Sequence, residues 1–262
     1  MDVLFLLASG AVAGMFAGLL GIGGGIIIVP VLAMVFTSQG VSIDVLMHVA
    51  IGTSLATIVI TSLSSIRAHH KHQAINWRVV RVISTGVFVG GLIGAAIAKI
   101  ISGEDLKLIF SIFMFLIAAQ MYFGNVAKPH RTLPNKTGMF IAGSSIGTVA
   151  SLMGVGGGSM AVPFLTWCNM NIRNAVATSS AIGFPIALAG TIGFIITGWS
   201  VADRPVMSFG YVNLPAFISI VIASVLSAPL GAWVAHRISP VILKRIFSAF
   251  LVILGIRMLA TL

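Results

Sequence analysis

Apolar runs of roughly 20 residues, long enough to cross a bilayer, recur along this chain. They fall at Leu46–Ile66, Val79–Ala98, Leu106–Phe123, Ala175–Thr197, Val212–Ala235 and Val241–Leu259. Each predicts a transmembrane helix. Two further apolar stretches, one near the start and one just past the middle, are interrupted by glycines. In the first, the arms Leu6–Leu20 and Gly25–Phe36 flank the interruption, and each is too short to span alone. Such a segment either crosses once as a broken helix or enters and returns as a re-entrant hairpin.

The two interrupted stretches are nearly the same stretch. Residues 19–32 and 152–165 share Leu19/Leu152, Gly21/Gly154, Gly23/Gly156, Gly24/Gly157, Gly25/Gly158, Val29/Val162, Pro30/Pro163 and Leu32/Leu165 at a constant offset. The likeness extends further. Ala50-Ile51-Gly52-Thr53-Ser54 resembles Ala175-Val176-Ala177-Thr178-Ser179, and Asn76, Gly94-Ala95 and Leu106-Lys107 match Asn213, Gly231-Ala232 and Leu243-Lys244. The expected fold is therefore an all-α polytopic membrane protein of two homologous repeats. Each repeat holds one glycine-interrupted segment and three transmembrane helices. The repeats cover 1–124 and 138–262, joined by the polar linker 125–137, which carries Pro129 and Pro134.

Basic residues bear on topology, because cytoplasmic loops are enriched in Lys and Arg. Arg67, Lys71, Arg78 and Arg81 lie between the first two ordinary spans of the first half, whereas the matching loop of the second half holds only Arg204. At the next loop the bias reverses. Lys99 and Lys107 are offset by Glu104 and Asp105, while Arg237, Lys244 and Arg245 have no acid beside them. Opposite bias in matching loops is what inverted halves produce. The inverted arrangement also places Lys128, Arg131, Lys136 and Arg173 inside, eleven of the fifteen cations; a single crossing places nine there. The charge bias favours inverted repeats with re-entrant segments.

Composition agrees with a membrane protein: 58% of residues are hydrophobic and 8% charged, against about 25% charged in a soluble domain. The net charge of +10 serves topology rather than nucleic acid, whose binders expose a soluble basic face. A single cysteine, Cys168, excludes an internal disulfide framework. The start, Met1-Asp2-Val3-Leu4, lacks the positive region of a signal peptide, so the first apolar stretch is expected to belong to the mature protein.

The candidate chemistry lies at the interruptions. Gly21-Ile22-Gly23-Gly24-Gly25 lacks the Lys-Ser/Thr ending of a phosphate loop, and Ile26 and Ser159 replace the third glycine of a dinucleotide fingerprint. What remains is backbone. Glycines permit unwound chain and close ligand approach, and a half-helix beginning at Gly25 or Gly158 points its positive end at the gap. Irregular backbone at membrane depth is tolerated only around a cavity or inside protein. The simpler alternative is that the glycines merely let helices pack closely. The pairs Thr53-Ser54 and Thr178-Ser179 add uncharged hydroxyl donors, unless they bond their own helix carbonyls.

Other features have plainer readings. Asn76 and Asn213 sit where helix caps belong. His48 and Arg173 either attract anions at a vestibule or mark the interface. His69-His70-Lys71-His72 reads as a charge cluster rather than a metal site, and Gly86-xxx-Gly90-xxx-Gly94 as a packing face. All five carboxylates fall in loops or at span ends, leaving no intramembrane acid as a proton relay. No nucleophile, base and acid assemble into a catalytic set, so no enzyme, metal or cofactor is expected.

The duplicated Gly-x-Gly-Gly-Gly-x(4)-Pro motif, each followed by Ala-x-x-Thr-Ser, resembles the TauE/SafE sulfite-exporter family over essentially the whole chain. The resemblance implies a transporter of small sulfur anions, sulfite or organosulfonates, in the bacterial cytoplasmic membrane. It implies binding at Gly21, Gly23, Gly24, Gly25 and Pro30, at Gly154, Gly156, Gly157, Gly158 and Pro163, and at Thr53, Ser54, Thr178 and Ser179; Ser159, beside the second glycine run, joins the candidate binding residues. Ser180 has no counterpart, since Leu55 stands there in the first half. Expected partners are the anion, the lipid bilayer and a second copy in a homodimer, not nucleic acid. Export is favoured over uptake, with an anion channel as the alternative.

Overall fold

The computed structural model describes residues 7, 8, 10–12, 14, 15, 24–123, 132–235 and 240–260, without the side chains of 228–235, 240, 241, 243 and 244. It is built of helices. In chain order they are α1 (Gly25–Ser38), α2 (Ile43–Lys71), α3 (Trp77–Ile100), α4 (Gly103–Phe123), α5 (Lys136–Leu152), α6 (Gly158–Trp167), α7 (Ile172–Gly198), α8 (Leu214–Ala235) and α9 (Pro240–Leu259). The six apolar runs coincide with α2, α3, α4, α7, α8 and α9. Among the described residues α2, α3, α4 and α7 are long and apolar enough to cross a membrane. The chain is a multi-pass membrane protein.

Local chemistry sets the helix ends. Asn76, Asn135 and Asn171 cap α3, α5 and α7, accepting through Oδ1 from the N–H of Val79, Gly138 and Arg173. Asn213 does the same for α8 through Ala216. The apolar run starting at Val212 therefore turns helical two residues late. Val212–Asn213 instead pairs antiparallel with Ser208–Phe209, closed by Gly210 at φ +60°, a conformation that two-residue hairpin loops favour. At the ends of α1 and α6 the chain reverses alike. Gly40 (φ +72°) and Asn169 (φ +64°) take left-handed positions, and Val41 and Met170 donate back to the carbonyls of Phe36 and Leu165.

The second glycine-interrupted stretch is divided between two short helices. In the second half α5 ends at Leu152 and α6 resumes at Gly158, across Gly154 at φ +63°. At 17 and 10 residues these helices are about 25 and 15 Å long, short of a bilayer core of about 30 Å. In the first half Gly24, at φ +70°, precedes α1. Gly21 and Gly23 lie outside the described residues.

The halves interleave. The most extensive packings, α3 with α5 and α3 with α7, join one half to the other. A Cβ at Gly86, Gly90 or Gly94 would run into the backbone of Phe140, Ser144 or Thr148, and Gly143 and Gly147 return the approach onto Ile83 and Val87. Gly86-xxx-Gly90-xxx-Gly94 is thus a packing face, and the order of its contacts makes α3 and α5 parallel. Gly91 against Ala189 and Ala95 against Gly193 make α3 and α7 parallel as well. Helix α2 runs opposite to α7, with Gly52 at Phe194 and Leu55 at Gly190. Thus α3, α5 and α7 all begin at one end of the bundle, where α2 finishes.

Candidate functional site

The start of α1 packs against the turn between α5 and α6. A Cβ on Gly25 would lie 2.6 Å from the carbonyl oxygen of Gly154 and 3.1 Å from the Val155 Cα, so only glycine permits this approach. The Ser54 hydroxyl donates to that same Gly154 carbonyl at 2.8 Å, fixing α2 to the second interruption. Val29 and Ile51 lie against Gly154, and the Ile58 side chain against Gly25, in the buried core. Gly24 and Pro30 are buried beside this junction, and Pro163 lies within α6.

Next to the junction is a cavity of about 30 Å3. The loop into α6 contributes Gly156, Gly157 and Gly158; α7 contributes Ser179, Ser180 and Gly183; α2 contributes Ile58, Thr61, Ser62 and Ser65. The first N–H groups of a helix have no partner within it, and those of α6 face this region with the positive end of the helix dipole. Among the described residues no charged side chain lines the cavity. Four of its hydroxyls are held by their own helices: Thr61 donates to Ile58, Ser62 to Val59, and Ser179 and Ser180 both to Val176. A hydroxyl so engaged keeps lone pairs free and gains a new acceptor by rotating about χ1. The Ser159 Oγ is buried with no partner among the described residues.

Thr53 and Thr178 lie away from the cavity and form a reciprocal pair. The Thr178 Oγ1 accepts from the backbone N–H of Asn76 at 3.0 Å, and the Thr53 Oγ1 accepts from that of Asn213 at 2.9 Å. Each half thereby supplies an acceptor for the helix start of the other, and both threonines are fully buried.

His48 is buried rather than at a vestibule. Its Nε2 sits 2.9 Å from the Ala98 carbonyl and its ring stacks on Tyr211 with centroids 5.1 Å apart. Arg173 is exposed at the start of α7. The sequence pointed to Gly156, Gly157, Gly158 and Ser179, and noted Ser180. It missed Thr61, Ser62, Ser65 and Gly183. The only signal for the first three was their i+3, i+4 and i+7 spacing from Ile58, on one helical face.

Known proteins resemble this chain end to end. A protein of Haemophilus influenzae called "Probable membrane transporter protein" is 37% identical over 262 residues, covering 98% of this chain and 97% of that protein. A Methanocaldococcus jannaschii protein called "Probable membrane transporter protein MJ0441" is 30% identical, covering 97% and 94%. The Bacillus subtilis "Probable membrane transporter protein YunE" is 28% identical over 99% of this chain and 98% of its own. No solved structure matches the chain. The class is a multi-pass membrane transporter, not an enzyme. The sulfite exporter TauE/SafE family matches residues 6–258, and the chain belongs to that family.

Proposed function

We propose that this transporter moves a small sulfur oxyanion, sulfite or an organosulfonate, out of the cytoplasm through the cavity at the α6 N-terminus. The observation that carries the reading is the gathering of the α6 helix start and several reorientable hydroxyls around a void lined by no charged side chain among the described residues, beside the approach of Gly25 to Gly154. An oxyanion needs several donors, and helix N-termini provide them without a fixed charge. A void of about 30 Å3 has room for a water-sized guest, so binding a sulfite ion requires α2 to draw away from α6 and α7. A space this small favours a carrier over an open channel. With the inside negative, the field favours efflux by about 2.3 kcal/mol per charge at 100 mV, which makes export feasible without a relay acid.

The same reading takes the repeats as inverted and the second interruption as re-entrant. Helices α5 and α7 start at the same end of the bundle, so the chain between them leaves and returns. That end carries Arg67, Lys71, Arg78, Arg81, Lys136 and Arg173. The four described carboxylates, Asp44, Glu104, Asp105 and Asp203, belong to the opposite end, which makes the first end cytoplasmic. The exchanged threonine bonds also map one half onto the other.

Two measurements test this. In a Cys168→Ser background, cysteines at Leu133 and Asn169 react with an impermeant thiol reagent from the cytoplasmic side, and one at Gly40 from the outside. Labelling of the Asn169 position only from outside defeats the re-entrant topology. Purified protein in proteoliposomes conducts saturable sulfite efflux that other small sulfonates inhibit. Absence of both sulfite and sulfonate flux from folded, correctly inserted protein defeats the substrate assignment.

A further inference from the structure

We infer that the groove between α3 and α5, at the end where both begin, is a binding site for the headgroup of an anionic phospholipid. The inference goes beyond the substrate reading and needs only that the bundle sits in a membrane.

The groove follows from the packing. Above it, Gly86 meets the Phe140 backbone and draws the two helices together. Below, the residues are large, and the helices leave a space of about 590 Å3 lined by Arg81, Val82, Thr85, Lys136, Thr137 and Phe140. Arg81 and Lys136 are both exposed. Among the described residues neither has an acidic partner, since Asp44, Glu104, Asp105 and Asp203 all lie at the other end. Because α3 and α5 are parallel, with Gly86 level with Phe140, the positive dipole end of α5 opens at this point, while α3 begins further out at Trp77. Two cations, one helix start and two threonine hydroxyls thus converge, with no compensating acid among the described residues.

That chemistry suits a phosphate: guanidinium binds its oxygens in pairs, ammonium adds charge, and hydroxyls donate. The surroundings select the lipid form. Phe140 is 41% exposed and Ile141 60% exposed on the outer surface of α5, one turn nearer the bilayer centre, and so present an apolar wall to acyl chains. Trp77, 39% exposed at the start of α3, is the aromatic type that settles at the headgroup level. A soluble phosphate would use the cations alone; a phosphatidylglycerol or cardiolipin molecule uses the cations and the wall. Basic pockets between helix ends are the sequence-readable form of such recognition.

The test uses the full-length protein in detergent, with phosphatidylglycerol and phosphatidylcholine titrated separately while lipid-bound species and thermal unfolding are followed. Phosphatidylglycerol should bind and raise the unfolding midpoint where phosphatidylcholine does not. The double variant Arg81→Gln, Lys136→Gln should weaken phosphatidylglycerol binding roughly thirtyfold, at about 1 kcal/mol per cation. The control pair Arg67→Gln, Lys71→Gln, with the same charge change elsewhere on that end, should keep it. The single variants give the same reading if the double one is poorly folded. Equal binding by the double variant and the unaltered protein, or an equal loss in the control pair, overturns the site. Stabilisation by inorganic phosphate matching that by phosphatidylglycerol overturns the lipid assignment.

Discussion

Gly183→Ala should leave the transporter folded and nearly abolish oxyanion flux. A Cβ at this position meets only the Gly157 amide nitrogen, at 3.5 Å, an ordinary contact. Gly183 lies in the interior of α7, where alanine is favoured over glycine by about 1 kcal/mol, so the variant should be at least as stable as the parent. The methyl group, however, projects over the first amides of α6 and takes space from a void of about 30 Å3. It therefore blocks the donors while disturbing nothing else. Loss of even one well-placed donor from an oxyanion site costs about 3 kcal/mol, or more than a hundredfold in rate. Efflux from proteoliposomes, normalised to inserted protein, measures the effect. Parental flux in this variant would mean that the anion passes elsewhere.

The largest expected effect on stability is at Gly90. A Cβ there would lie 2.8 Å from the carbonyl carbon of Ser144 and 2.9 Å from its Cα. Backbone cannot rotate aside, so α3 and α5 must separate, and with them the contacts at Gly86, Gly94, Gly143 and Gly147. Gly90→Ala should lower stability by about 1–3 kcal/mol, despite the gain in helix propensity. Gly90→Leu should prevent accumulation of folded protein. Gly40→Ala is the contrasting case. Nothing lies within 4 Å of its Cβ, and only the left-handed backbone at φ +72° is strained, by about 1–2 kcal/mol. Unfolding midpoints in detergent should place both Gly40→Ala and Gly90→Ala below the parent, and Gly90→Leu should yield no folded protein to measure. A Gly90→Leu protein as stable as the parent would show that the helices do not approach as described.

The ordinary helices were legible because a bilayer demands long apolar runs. Leu46–Ile66 lies inside α2, and Val79–Ala98 inside α3. The Asn caps were legible because their chemistry is local. The hairpin at Ser208–Asn213 was not, since two-residue strands carry no periodicity. At the site, repetition exposed Gly156, Gly157 and Gly158. Thr61, Ser62, Ser65 and Gly183 stayed hidden, because only the antiparallel pairing of α2 with α7 brings their faces together. The threonine pairs show another limit. Sequence marks a hydroxyl as able to donate or accept, but Thr53 and Thr178 accept from Asn213 and Asn76, and Ser54 donates to Gly154. A partner more than 90 residues away decides which.

The traded threonine bonds have a consequence for assembly. Cut in the linker, the chain would yield two fragments, each with one backbone amide lacking its acceptor and one buried hydroxyl lacking its guest. Neither fragment is a complete object; only their one-to-one complex satisfies both, so stoichiometry is written into two hydrogen bonds.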